Sequence, residues 1–278
     1  MTALVDSAWL FDHLEDPSVV VIEVSSAVTS EAEYFGGHIP GSHFAHWKTL
    51  CWHETDRQFP DPDEMARRLG AFGVDDDSTI VLVGDPIQYA TYAYWVLAMT
   101  GISENAVILD GGRATWLAEN RPVTTEISEP TPVALQRTPT PVDCRLGREQ
   151  VRAGLGDPHR LILDVRSPEE FSGERVSPPH MDVDHGAQRT GRIPGAEHLY
   201  YMELLADDGT FKPVEDLAAL FGDAGAETDR DVVTYCRLSH RATLGWFVMT
   251  ELLGYTNARV YDGSWTEWGS IVGFPIER

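Results

Sequence analysis

The sequence predicts an α/β protein in which one domain occurs twice, each copy a mainly parallel sheet with helices on both faces. Along its 278 residues, short apolar runs rich in β-branched residues alternate with stretches of helical periodicity. An Ile-Pro-Gly turn recurs at an offset of 154 residues, and an Asp-Gly element recurs at an offset of 152. Two offsets this similar indicate a duplicated domain.

The first copy is predicted within residues 1–126. Its nearly continuous apolar runs are typical of parallel strands that are buried on both faces. The pattern places strands at residues 19–24, 79–83 and 106–109, and helices at residues 7–14, 63–72 and 89–99. A further helix passes through Trp116.

Residues 127–142 separate the two copies and contain four prolines without an apolar period. This composition predicts an extended linker. The second copy follows at residues 143–278, with strands at 161–165 and 232–235 and a helix at 215–221. The order of the elements matches that of the first copy.

The charge of the chain excludes several classes of partner. The formal net charge is −23, from 44 acidic and 21 basic residues, which opposes binding to nucleic acid and to anionic membranes. No apolar run approaches the roughly 20 residues that span a bilayer, and the first residues do not resemble a signal peptide. We therefore expect a cytoplasmic, monomeric protein that works without a membrane.

The three cysteines, Cys51, Cys144 and Cys236, are far apart and form no Cys-x-x-Cys pair. Disulfides and a structural zinc site are therefore not expected. Four histidines of the first copy match no zinc spacing either: His38, His43, His46 and His53. We expect no metal and no other cofactor.

Cys236 is the candidate nucleophile. It follows the apolar run 232–235 directly and precedes a helical pattern, so it is predicted at a strand-loop-helix junction. Unpaired backbone N–H groups and the positive end of the helix dipole converge there and favour a thiolate. In the first copy Asp85 occupies the same place, so thiolate chemistry is expected in the second copy alone.

These features resemble a tandem-domain rhodanese, a thiosulfate sulfurtransferase. The resemblance covers nearly the whole chain and is most specific in three segments: Asp164-Val165-Arg166-Ser167, Cys236-Arg237-Leu238-Ser239-His240-Arg241 and Tyr261-Asp262-Gly263-Ser264-Trp265. It implies two rhodanese-like domains, the first inactive and the second active. It also implies a persulfide carried on Cys236 at a site between the domains.

The loop residues suggest how such a site would bind its substrate. Backbone N–H groups of Arg237, Leu238, Ser239, His240 and Arg241 would surround the sulfur. The guanidinium groups of Arg237 and Arg241 would bind the anionic sulfonate of thiosulfate, and Arg189 is a further candidate cation. Leu238 stands where the family often has a lysine. The sulfur would then pass to cyanide or to a thiol acceptor.

Three alternatives remain open at this stage. 3-Mercaptopyruvate is a second donor, although its enzymes have small residues in the loop. A phosphatase or arsenate reductase would need the spacing Cys-x5-Arg, and Ala242 occupies that position here. A non-catalytic sulfur carrier is the third, since the fold persists in the copy that has Asp85.

Overall fold

The computed structural model describes residues 3–25, 28–136 and 138–278. The chain forms two compact units. One extends to Val142 and includes Asp207–Thr210, and the other comprises Asp143–Ala206 with Phe211–Arg278. Each unit contains one five-stranded sheet.

The sheet of the first unit has the order β1-β5-β4-β2-β3, and its strand pairs are parallel. Its strands are β1 (Leu4–Val5), β2 (Val19–Ser25), β3 (His43–His46), β4 (Thr79–Asp85) and β5 (Ala106–Leu109). Its helices are α1 (Ser7–Asp12), α2 (Val28–Gly36), α3 (Trp47–Cys51), α4 (Pro62–Ala71), α5 (Gln88–Thr100) and α6 (Gly112–Ala118).

The sheet of the second unit has the order β6-β10-β9-β7-β8, again with parallel pairs. Its strands are β6 (Arg145–Leu146), β7 (Arg160–Asp164), β8 (Glu197–His198), β9 (Asp231–Tyr235) and β10 (Ala258–Tyr261). Its helices are α7 (Arg148–Ala153), α8 (Pro168–Ser172), α9 (Val214–Asp223), α10 (His240–Phe247) and α11 (Ser264–Trp268), with a 3-10 helix at Tyr201–Leu204 and a π-helical segment at Val248–Leu252.

The two sheets have the same strand order, element by element, which confirms the predicted duplication and the α/β class. The apolar runs explain the burial. Four consecutive residues of β4, Ile80, Val81, Leu82 and Val83, are 0% exposed. Since alternate residues of a strand point to opposite faces, protein covers both faces of the sheet at this strand.

Strand β3 is not among the strands that the apolar pattern of the sequence predicts. Its four residues pair in parallel with β2, from Ile22 opposite His43 to Ser25 opposite His46. Two histidines in four residues obscured the pattern of an edge strand. His38 is fully buried nearby and stacks on Tyr34 with 4.0 Å between ring centroids, so it is a packing residue.

The proline-rich segment runs along the first unit. The N–H of Val133 donates to the carbonyl of Gly70 in α4 at 2.9 Å, and the N–H of Thr140 donates to the carbonyl of Gly101 at 3.0 Å. The N–H of Val142 donates to the carbonyl of Ala98 at 3.0 Å. The described residues of 127–142 form no helix or strand, and they are tied to the unit that precedes them.

None of the helices in the described ranges combines the length and the apolar character that a bilayer crossing requires. The described side chains likewise contain no cluster of three or more His, Cys, Asp or Glu residues arranged to hold a metal ion.

Candidate active site

Cys236 follows β9, the middle strand of the second sheet, and is 1% exposed. Helix α10 begins four residues later at His240. The structure therefore places the thiol at the carboxyl end of a central parallel strand, in a loop that leads into a helix. Ligands of open α/β sheets bind at this edge.

Ser239 gives the loop its tight shape. Its φ of 75° lies in the left-handed region, which costs a non-glycine residue roughly 1–3 kcal/mol. The side chain compensates: the hydroxyl donates to the backbone carbonyl of Asp262 and lies 3.2 Å from the Asp262 carboxylate. Asp262 also pairs with Arg145 at 3.1 Å, so this carboxylate is held between the cysteine loop and β6.

The turn after β10 supports the cysteine loop from beside it. The N–H of Cys236 donates to the hydroxyl of Ser264 at 3.2 Å, and that hydroxyl donates to the carbonyl of Tyr261 at 3.0 Å. In the opposite direction, the N–H of Trp265 donates to the carbonyl of Cys236 at 2.9 Å. The Asp-Gly-Ser-Trp segment and the cysteine loop thus form one hydrogen-bonded unit.

Arg241 lies in the first turn of α10 and is paired with Glu170 of α8. Its two terminal nitrogens donate to the two carboxylate oxygens at 2.7 and 2.9 Å, and the Glu170 side chain is 0% exposed. Burial alone would lower the pKa of Arg241, but the hydrogen bonds to Glu170 and the nearby Cys236 raise it. Arg241 therefore remains charged, with that charge balanced by a buried carboxylate.

Arg237 has different surroundings. It has no carboxylate partner among the described residues; its terminal nitrogens face the sulfur of Met181 at 3.3 Å and a ring nitrogen of His185 at 3.0 Å. Its Nε is buried and has no hydrogen-bond partner in the described structure. Burial and the neighbouring charge of Arg241 lower the pKa of Arg237.

The other predicted loop residues take distinct positions. Leu238 is 38% exposed, whereas Ser239 is buried and its hydroxyl donates to the backbone carbonyl of Asp262. His240 is the first residue of α10, and its carbonyl accepts from the hydroxyl of Thr243 at 2.8 Å.

Arg189 was predicted as a substrate-binding cation, and its donors are used elsewhere. Its guanidinium donates to four backbone carbonyls at 2.7–3.1 Å: those of Trp268, Gly269, Ile271 and Phe274. These contacts occupy four of its five N–H groups. In this structure Arg189 holds the C-terminal segment, and substrate binding by Arg189 stays a prediction.

Two residues near the thiol were missed by sequence reasoning. Glu170 is one, and the capping box that Ser167 and Glu170 form at the start of α8 was the available signal. Tyr201 is the other, with the Arg241 guanidinium 5.7 Å from its ring centroid. Burial raises the pKa of Tyr201, which keeps its phenol neutral.

The corresponding position of the first unit has no thiol. Asp85 ends β4, and its carboxylate lies 3.8 Å from Nε of Arg113. Burial raises the pKa of Asp85. The other two cysteines are buried in their units, and burial raises the pKa of Cys51 far above its ordinary value.

The second unit has a buried thiol in an arginine-containing loop between a central parallel strand and a helix. These features place it among the α/β proteins that carry a cysteine in the loop after a central strand. The model of the rhodanese-like domain matches the chain twice, at residues 6–119 and 147–271. The chain belongs to the rhodanese-like sulfurtransferase family.

Full-length relatives agree with this assignment. The sulfur carrier protein TtuD of Thermus thermophilus is 38% identical, with 99% of this chain and 96% of that protein aligned. A Haloferax volcanii protein named "Putative thiosulfate sulfurtransferase" is 39% identical over the same shares.

Among solved structures, wild-type EanB superposes with a TM-score of 0.83 at 21% identity, over 99% of this chain and 69% of that one. A variant of EanB carrying a cysteine persulfide, in complex with ergothioneine, superposes with a TM-score of 0.84 at 21% identity, over 99% and 70% of the two chains. These similarities concern the fold.

Proposed function

We propose that this protein is a thiosulfate sulfurtransferase that works through a persulfide on Cys236. The Cys236 thiolate attacks the outer sulfur of thiosulfate and forms a new S–S bond. The S–S bond of the donor breaks, and sulfite leaves with the electron pair. A nucleophilic acceptor, cyanide or a thiol, then takes the outer sulfur and returns the thiolate.

The observation that carries the proposal is the contrast between the two arginines of the loop. Arg241 is balanced by the buried Glu170, whereas Arg237 has no carboxylate within ion-pair distance among the described residues and directs its terminal nitrogens to Met181 and His185. A guanidinium without a carboxylate partner can bind a sulfonate through charge-assisted hydrogen bonds, worth about 1.5–3 kcal/mol each. This local cation offsets the negative charge of the whole chain at the point where an anionic donor must bind.

The test is cyanolysis with thiosulfate as donor, comparing the wild type with Cys236→Ser. Cys51→Ser is the matched control, because it removes a buried thiol of the first unit. The proposal expects loss of turnover in the first variant and retention in the second. A Cys236→Ser protein as active as the wild type would refute it.

3-Mercaptopyruvate stays the alternative donor. It carries a carboxylate, which Arg237 could also bind, so the distinction rests on rates. A larger kcat/KM for thiosulfate than for 3-mercaptopyruvate supports the proposal. A larger kcat/KM for 3-mercaptopyruvate would make that compound the donor in place of thiosulfate. Release of phosphate from an aryl phosphate would instead support the phosphatase alternative, for which Arg241 is one residue too close to the cysteine and already paired.

A sulfur carrier is the second candidate function, favoured by the name of the Thermus relative. A carrier would keep the persulfide until a specific protein acceptor arrives. Mass spectrometry after thiosulfate treatment reports loading as a gain of about 32 Da, one sulfur, on the peptide that contains Cys236. Loading without turnover on cyanide or small thiols would favour the carrier over the enzyme.

A further inference from the structure

We propose that residues 181–186 form a clamp that positions the guanidinium of Arg237 for the sulfur donor, with His185 as the positioning residue. This inference rests on the proposed function and assigns a specificity element to the same site.

Three contacts from this short loop converge on one guanidinium. Nη2 of Arg237 lies 3.0 Å from Nε2 of His185, and Nη1 lies 3.3 Å from the sulfur of Met181. Gly186 completes the contact, since a Cβ built on it would lie 2.5 Å from Nε of Arg237. A side chain at residue 186 would therefore displace the arginine.

The hydrogen bonds of His185 define its role. Its Nδ1 lies 2.9 Å from the carbonyl of Val183, and because a carbonyl only accepts, this nitrogen carries the proton. Nε2 is then the acceptor for an N–H of Arg237. A neutral acceptor fixes the orientation of the guanidinium without pairing a carboxylate with it, in contrast to what Glu170 does for Arg241.

The base of the loop is itself fixed. The carboxylate of Asp184 accepts from the N–H groups of Val176 and Ser177 and from the hydroxyl of Ser177, each at 2.9 Å. Arg175 donates to the carbonyl of Met181 at 3.0 Å. Because these contacts hold residues on both sides of Val183, His185 is presented to Arg237 from a defined position.

The remaining donors of Arg237 are suited to an anion. Of the four N–H groups on its two terminal nitrogens, two are directed to Met181 and His185, which leaves one on each nitrogen for an anion. A sulfonate that reaches this face would meet a guanidinium whose orientation is already set. Pre-set orientation reduces the entropy that binding costs.

The experiment compares His185→Phe, which keeps an aromatic ring but has no acceptor, with His185→Gln, which keeps an acceptor but has no imidazole. His185 is exposed, so neither change should threaten folding. In the double-displacement reaction, kcat/KM for each substrate reports on its own half-reaction. We expect kcat/KM for thiosulfate to fall about three- to tenfold in His185→Phe and to stay near the wild-type value in His185→Gln.

The same variants should leave kcat/KM for a thiol acceptor unchanged, because the sulfonate has left before the acceptor binds. A His185→Phe protein with wild-type kcat/KM for thiosulfate, or with equal losses in both half-reactions, would overturn the clamp. Gly186→Ala is the second variant and should reduce the thiosulfate half-reaction at least as strongly.

The two proposals fail in different ways. If Cys236→Ser retains turnover and no persulfide forms on the wild type, the sulfurtransferase function fails. If the wild type forms the persulfide and His185→Phe behaves as the wild type does, only the clamp fails.

Discussion

The carboxylate of Glu170 binds both terminal nitrogens of Arg241, at 2.7 and 2.9 Å, within the second unit and close to Cys236. The pair joins the first turn of α10 to α8, although the two residues are 71 positions apart. It leaves Arg237 as the cation of the cysteine loop without a carboxylate partner in the described chain. The two arginines of the loop therefore differ in their charge balance because Glu170 pairs with only one of them.

Glu170→Gln is expected to lower the free energy of unfolding by about 3 kcal/mol, because it leaves the buried charge of Arg241 uncompensated. Urea unfolding of the wild type and the variant measures this. Glu174→Gln, an exposed position just after α8, is the control and should change the unfolding free energy by less than about 0.5 kcal/mol. Equal effects of the two variants would show that the pair contributes nothing specific.

Leu238→Lys tests the electrostatic part of the proposed donor site. The side chain of Leu238 is 38% exposed, so a lysine fits without repacking and adds a cation to the loop, two residues after Cys236. We expect kcat/KM for thiosulfate to rise about three- to tenfold at low ionic strength and to return towards the wild-type value at about 1 M salt. Leu238→Gln, uncharged and of similar length, should show no such increase; a salt-independent gain would contradict the electrostatic explanation.

The sequence was sufficient to predict the duplication, the parallel sheets and the position of Cys236, because these depend on local patterns that repeat. The partners of the charged side chains were not predictable in the same way. The guanidinium of Arg189 donates to four backbone carbonyls about 80 residues further along the chain, and that of Arg241 donates to a glutamate 71 residues before it. Such pairings depend on how distant loops pack against each other, and a local sequence pattern does not predict them.

Ser264 allows stability and activity to be separated. Its φ is 52°, and Gly112 of the first unit has 60° at the corresponding position. Ser264→Ala keeps a Cβ in this left-handed conformation, whereas Ser264→Gly removes it, so the glycine variant should be more stable by about 1 kcal/mol. Urea unfolding measures the difference.

Both Ser264 variants lose the acceptor for the N–H of Cys236 and should therefore lose activity alike. A lost hydrogen bond of about 0.5–1.5 kcal/mol corresponds to a fall in kcat/KM for thiosulfate of roughly two- to tenfold. An activity that followed stability across the two variants, with the glycine protein close to the wild type, would show that the hydroxyl itself does not matter.

The packing of the proline-rich segment can be tested with a pair of glycines that the duplication supplies. Gly70 in α4 and Gly222 in α9 are corresponding positions, each the ninth of ten helical residues. A Cβ at Gly70 would lie 2.3 Å from the carbonyl oxygen of Val133, whereas a Cβ at Gly222 would have no neighbour within 4 Å.

Gly70→Ala should therefore destabilise the protein by about 1–3 kcal/mol through overpacking. Gly222→Ala should stabilise by about 0.5–1 kcal/mol, the ordinary gain from alanine in a helix. Thermal and urea unfolding of both variants measure the difference, and a similar gain at the two sites would mean that the segment does not pack against α4.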